Sequence, residues 1–286
     1  MALSTINLTS GMRATLFSLQ KTSKDFEITQ KRLATGLKIN TALEDPINFF
    51  TAQEHRMRAS ELAGRKDGMS EAIQTIKAAN LGVEGINNLI AHAKSLAQSA
   101  MSATASDASI FASQYGTVMT QINQMAVDSG YKGVNLLQNG ILTVEFAPTA
   151  GQSTLALSGF GGATAGEFNV DGLSAEISGS AANWVASGTT TVDTSAIQTS
   201  INNLEDAMGT LRTESKKLAT NLSIITAREE FTSQMIDTLG DGAAKLTEAD
   251  MNEEGANLLM LQTRQALGTT SLNLASEAAM NVLRLF

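Results

Sequence analysis

Few groupings in this chain have the residue types and spacing that chemistry requires. Ser18-Leu19-Gln20-Lys21 has the Ser-x-x-Lys form in which a lysine can activate a serine nucleophile, but the Ser-Asp-Asn and Lys-Thr-Gly partners of such a site do not occur. It reads as helix surface. His55 and His92 are the only histidines, neither sits in His-Glu-x-x-His or another ligand spacing, and no cysteine exists to supply a thiolate. The glycine-rich stretch 159–166, GFGGATAG, lacks the third glycine of a dinucleotide loop and the strand and helix that would frame it, so it reads as a turn. Asp250, Glu253 and Glu254 could hold a cation, yet an acidic helix start beside the positive end of the helix dipole explains them more simply. The triplets Asn7-Leu8-Thr9 and Asn221-Leu222-Ser223 match an N-glycosylation acceptor but lie in helical patterns. These residues predict no catalytic site, no cofactor and no metal.

The composition narrows the class. The chain has 286 residues, 43% of them hydrophobic but only 5% aromatic, with two prolines. Such a balance favours helices packed through small and aliphatic side chains. A formal charge of −8, without a basic patch interleaved with aromatics, disfavours nucleic acid as a partner. No apolar run approaches the roughly 20 residues that cross a bilayer, and the amino terminus lacks the charged and apolar regions of a secretory signal. The absence of cysteine fits a cytosolic protein or one exported by a route that needs no disulfides.

The elements that would carry any site follow from periodicity. Met12, Leu19, Phe26 and Leu33 recur every seven residues, with Leu16 leading a partly polar second series, so the first segment predicts a helix with one apolar seam that stops near Gly36. Asp45 and Pro46 then suit the cap and first position of a second helix. From Met69 through Ala72, Ile76, Ala79, Val83, Ile86, Ile90, Ala93 and Ala97 to Ala100 the spacing alternates three and four without a polar interruption. A helix of that length is a rod of about 48 Å. A further helical segment carries Ile110, Val118, Ile122 and Met125 and ends at GYKGVNLLQNG.

Between Lys132 and Arg212 there is no lysine or arginine, and Leu142, Val144 and Phe146 alternate with polar residues as a strand does. Trp184, Phe160 and Phe168 are expected to form a local core within that β-rich insertion. The three-four spacing then returns through Ile197, Ile201, Leu204, Met208, Leu211, Ser215, Leu218, Leu222 and Ile225, which predicts the intrachain partner of the Met69–Ala100 seam. A last stripe of Leu258, Leu261, Gln265, Gly268, Leu272, Ala275, Ala279, Val282 and Phe286 runs to the final residue. Two apolar terminal helices can bury part of their surface on each other, and copies of the chain are the natural cover for the rest.

RLATGLKIN followed by Glu44-Asp45, the mid-chain GYKGVNLL, and LTEADMNEEGANLLMLQTRQALGTTSLNLASEAAMNVLRLF at the end occur in the order and spacing of one family, and over its whole length the chain resembles bacterial flagellin. The short insertion and Leu-Phe ending resemble alphaproteobacterial members. The resemblance implies a mainly α fold: long antiparallel coiled-coil helices from the amino- and carboxy-terminal parts, with a small β-rich insertion. It implies an inner assembly domain of residues 1–40 and 245–286, a helical rod of 41–140 and 196–244, and a surface insertion of 141–195. The implied function is a non-enzymatic subunit that self-assembles into the flagellar filament, with a hook-filament junction protein as the alternative. Expected partners are further copies, the flagellar type III export apparatus, an export chaperone, and the junction and cap proteins; neither nucleic acid nor a membrane is expected.

The expected assembly contacts are Met12, Leu16, Leu19, Phe26, Leu33, Leu258, Leu261, Leu272, Val282, Leu285 and Phe286. Two stretches depart from the family pattern. Pro46-Ile47-Asn48-Phe49-Phe50 stands where small residues usually follow the acidic motif, and Lys94-Ser95 stands nearest the segment that an innate immune receptor reads, which predicts weak activation of that receptor. A flagellin-borne metalloprotease would need a ligand motif within 141–195, and none is present.

Overall fold

The computed structural model describes residues 10–149, 151–160, 184, 185 and 191–283, the last two as backbone only. Their elements are α1 (Ser10–Thr35), α2 (Pro46–Met101), α3 (Ala105–Asp128), β1 (Ile141–Glu145), β2 (Thr154–Ser158), α4 (Thr194–Thr247) and α5 (Met251–Leu283). The architecture is mainly α with a small antiparallel hairpin, as the periodicity predicts. Phe168, Leu285 and Phe286 lie outside the described residues, and so does the side chain of Val282.

Local chemistry sets the helix ends. At Gly36, φ is +71° and the N–H donates to the Arg32 carbonyl at 2.8 Å, a left-handed termination that glycine adopts without a Cβ clash. Asp45 caps α2, accepting from the Asn48 N–H at 3.1 Å and from the Asn48 side-chain amide at 2.7 Å, while Pro46 occupies the first helical position, where a missing N–H costs nothing. Thr104 caps α3, Asp193 caps α4 and Asp250 caps α5, each through its side-chain oxygen. After α3, the chain reverses in a tight turn in which the backbones of Tyr131 and Val134 exchange bonds of 2.9 Å. The two central residues, Lys132 and Gly133, both have positive φ, as that turn demands. Asn135 closes the α3 end by donating its side-chain amide to the carbonyls of Ala126 and Val127.

The chain divides into two compact units, Ser60–Ile236 on one hand and Met1–Ala59 with Asp237–Phe286 on the other. In the first, every member of the Met69–Ala100 stripe is buried, and one apolar cluster joins it to Ala108, Tyr115, Met119, Ile122 and Ala126 of α3 and to Ile197–Ile225 of α4. α2 therefore has two helical neighbours, and both sides of its stripe are covered. Polar bonds between α2 and α4, Ser70 to Glu229 at 2.7 Å and Lys94 to Glu205 at 2.6 Å, run along the edge of that packing. Ile110, expected on the inner face of α3, is exposed instead, because the α3 stripe that meets the core runs through Ala108, Tyr115 and Met119.

The hairpin pairs Ile141 with Ser158 through Glu145 with Thr154. Its inward residues Val144 and Leu157 join the helical cluster. Arg65 of α2 holds the Glu145 carboxylate and donates to the Pro148 carbonyl at 3.2 Å, while the Arg228 guanidinium of α4 lies 5.3 Å from the Phe146 ring centroid. Trp184 does not form a separate core with Phe160: it is fully buried against Tyr115 of α3, ring centroids 4.9 Å apart, and Phe160 packs on the same helical cluster. A small hairpin has too little apolar area to shelter an indole, so the helical core takes it.

Candidate assembly surface

The second unit is built around α1 and α5, which pack against each other. Met12 of α1 and Leu261 of α5 are buried, and Leu16, Leu19, Phe26 and Leu33 of α1, with Leu258 and Leu272 of α5, are half-buried. The stripes legible in the sequence thus supply the intrachain seam. Gly268 permits a close approach: a Cβ there would lie 2.6 Å from Leu19 Cδ1.

The seam is pinned where both chain segments change direction. The Thr247 carbonyl accepts from the N–H groups of Lys38 at 2.8 Å and Ile39 at 3.3 Å, the Gly36 carbonyl accepts from Ala249 N–H at 3.0 Å, and Arg56 donates to Thr247 Oγ1 at 2.9 Å. Arg32 Nη1 donates to Glu254 Oε1 at 2.9 Å. Glu254, read from the sequence as part of an acidic helix start, does stand in the first turn of α5 and is buried; its pairing with α1 is a contact the sequence pattern did not reveal. Glu44 accepts from the Asn40 N–H at 2.7 Å and from Lys31 at 3.1 Å. The Asn40 bond, then the Lys31 contact, holds its carboxyl below the ordinary carboxylate range.

The outer faces carry what the seam leaves uncovered. Phe17 is 72% exposed on α1, and on α5 Met260, Leu267 and Leu274 repeat every seven residues, with Leu267 65% and Leu274 62% exposed. This second α5 stripe was missed by reading one seam per helix; its signal is the same heptad spacing, one face round. A groove between the helices is lined by Thr15, Ser18, Lys21 and Asp25 on one side and Arg264, Leu267 and Gly268 on the other. His55 is half-buried and His92 exposed. Among the described residues no group of three or more His, Cys, Asp or Glu could hold a metal, and no helix is long and apolar enough to cross a membrane.

Comparison with known proteins matches residues 6–141 to the model of the bacterial flagellin N-terminal helical region. Flagellin FljO of Caulobacter vibrioides is 29% identical over 295 residues, covering 100% of both chains. A flagellin of Brucella melitensis is 27% identical over 273 residues, 95% of each chain. The crystal structure of Bacillus cereus flagellin is similar at 16% identity and a TM-score of 0.43, over 58% of this chain and 88% of that one.

Proposed function

The chain belongs to the bacterial flagellin family, a structural subunit of the flagellar filament, and on that premise we propose that the outer faces of α1 and α5 are the surfaces through which copies assemble. The observation that carries this is the stripe Met260, Leu267 and Leu274: three large apolar side chains in one heptad register, left in water by the seam of their own unit. The half-buried seam residues Leu16, Leu19, Phe26, Leu33, Leu258 and Leu272, which flank the buried Met12 and Leu261, complete burial when neighbours close over them. Residues 1–40 and 245–286 then act as the inner assembly domain, 41–140 and 196–244 as the rod, and 141–195 as the outer insertion. The subunit acts outside the cell, reaches the filament tip through the flagellar type III export apparatus with an export chaperone, and meets the junction and cap proteins at the filament ends. It carries no catalytic role.

Seeded polymerisation of purified chain, followed by pelleting and negative-stain electron microscopy, tests the reading. Long uniform filaments are expected from the wild type and none from Leu267→Asp. Short rings from the wild type, with seeds that extend a control flagellin, would instead favour the hook-filament junction role.

A further inference from the structure

Within the unit that holds α1 and α5, the start of α2 carries a periodicity of its own. Ile47, Phe50, Glu54 and Met57 are spaced three, four and three, the spacing of a coiled-coil seam rather than of scattered surface residues, and Leu43 lies in the turn just before the helix. All five are exposed, Leu43 by 95% and Ile47 by 77%. The helix beneath them is firmly begun by the Asp45–Asn48 cap, and Phe49 turns inward with its ring edge-on to Phe50, centroids 5.6 Å apart at 82°. Phe50 itself is 59% exposed, a large apolar ring available for burial by a partner.

A mate of matching chemistry exists in the same unit. Along the outer face of α1, Phe17, Lys21, Lys24 and Ile28 are all exposed and spaced four, three and four, with Lys21 at the rim of the groove toward α5. In a parallel register Phe50 opposes Phe17, Glu54 opposes Lys21, and Met57 lies along the aliphatic stem of Lys24. That arrangement places ring on ring, carboxylate on ammonium and thioether on methylenes. The two stripes do not cover each other within one chain, since both are exposed. A face on α2 that fits a different face on α1 is a heterologous contact, and when its rotation does not close into a ring it propagates as an open helix.

We infer that the Ile47–Met57 face of α2, with Leu43 of the preceding turn, docks on the outer face of α1 of a second copy of this chain. The inference rests on the filament reading and adds to it a lateral contact separate from the Met260–Leu274 stripe.

The chain has no cysteine, so single cysteines report cleanly. Full-length Met57→Cys and Lys24→Cys chains would be mixed, seeded and treated with a short bismaleimide. A heterodimeric adduct in the pellet is expected; a pellet with no such adduct, or only Met57→Cys homodimers, overturns the contact. Where the unmodified chain does not pellet, the filament reading fails by itself. The same cross-link in concentrated solution then decides the α2–α1 contact, present in support or absent against. As a second readout, Glu54→Lys should raise the critical concentration roughly tenfold, the scale of losing one well-placed interface residue. Adding Lys21→Glu should restore it, with circular dichroism of the monomers unchanged. Failure of that rescue in chains of wild-type helicity counts against the register.

Discussion

The stripe Met69–Ala100 and the stripe Leu258–Leu272 share one spacing and differ in what covers them. The first lies on a helix with neighbours on two sides, and none of its apolar side chains is more than a few per cent exposed. The second lies in a pair, and most of its members stop at half-burial. Two helices in contact shield only the strip between them; a third is needed before a ridge becomes interior. The difference locates where the isolated subunit is finished and where it is not.

The sharpest test sets a covered position of the first stripe against one on the outer face of α5. Ile86→Ala, at a fully buried site, should cost about 3 kcal/mol through lost transfer energy and a cavity. Leu267→Ala should cost the monomer less than about 0.5 kcal/mol, because its side chain is already in water. Thermal and urea unfolding of both variants would measure this. Equal losses would mean that the terminal pair is covered within the monomer, and the contrast between the units would collapse.

An intermediate effect is expected at Arg32→Ala, which leaves the buried Glu254 carboxylate without its partner. The cost should be about 2 kcal/mol, below that of a fully dry pair because the Arg32 side chain keeps 32% of its exposure. Replacing both residues with Gln should recover much of it. Hydrogen exchange at the Gly36–Ile39 and Thr247–Ala249 amides would localise the loss. A uniform loss that extended through α3 would show that the two units do not unfold separately, against the expectation that the less buried one opens first.

Gly268→Ala should act more weakly, by about 1 kcal/mol, because the added methyl would meet a leucine side chain that can rotate away. Its sharper consequence is geometric: spreading α1 from α5 should alter the outer faces and reduce seeded polymerisation more than it reduces stability. Gly82→Ala provides the comparison, since its methyl would meet Ser129 and Leu137 inside the covered core. If both variants lowered stability equally, the terminal pair would be as tightly packed as the core.

These contrasts also show how far the sequence could be read. The ten-position stripe was legible because every member faces inward, so one period describes the whole contact. Caps at Asp45 and Gly36 were legible because they depend on neighbours in sequence. Trp184 was not, because its contact with Tyr115 spans two elements whose packing no local pattern encodes. Glu254 stands in the first turn of α5 as read, but its pairing with Arg32 was not legible for the same reason. The second stripes, Met260–Leu274 and Ile47–Met57, were legible in spacing but went unread. A reading that assigns each helix one buried face has no place for an apolar second one.

The smallest effect separates two exposed carboxylates, one in each unit. Lys132 hydrogen-bonds Glu71 and holds its carboxyl below the ordinary range, while Glu71 in turn raises Lys132 above the ordinary lysine value. A lowered carboxyl contributes stability that is present above its unfolded pKa and is lost as pH falls through the folded one. A raised lysine contributes stability present below its unfolded pKa and lost as pH rises through the folded one. Protection of the Tyr131 and Val134 amides should therefore hold across the neutral range and fall at both its acid and its alkaline edges. Glu44, held low chiefly by the Asn40 N–H, should give the Asn40 amide an acid edge that does not require a lysine partner. Hydrogen exchange corrected for intrinsic pH dependence would follow both sites, and Glu71→Gln should flatten the first profile while leaving the second intact. An unchanged Tyr131 profile in that variant would mean that the turn is held by its backbone bonds alone, and the exposed pair would then contribute nothing to the better-covered unit.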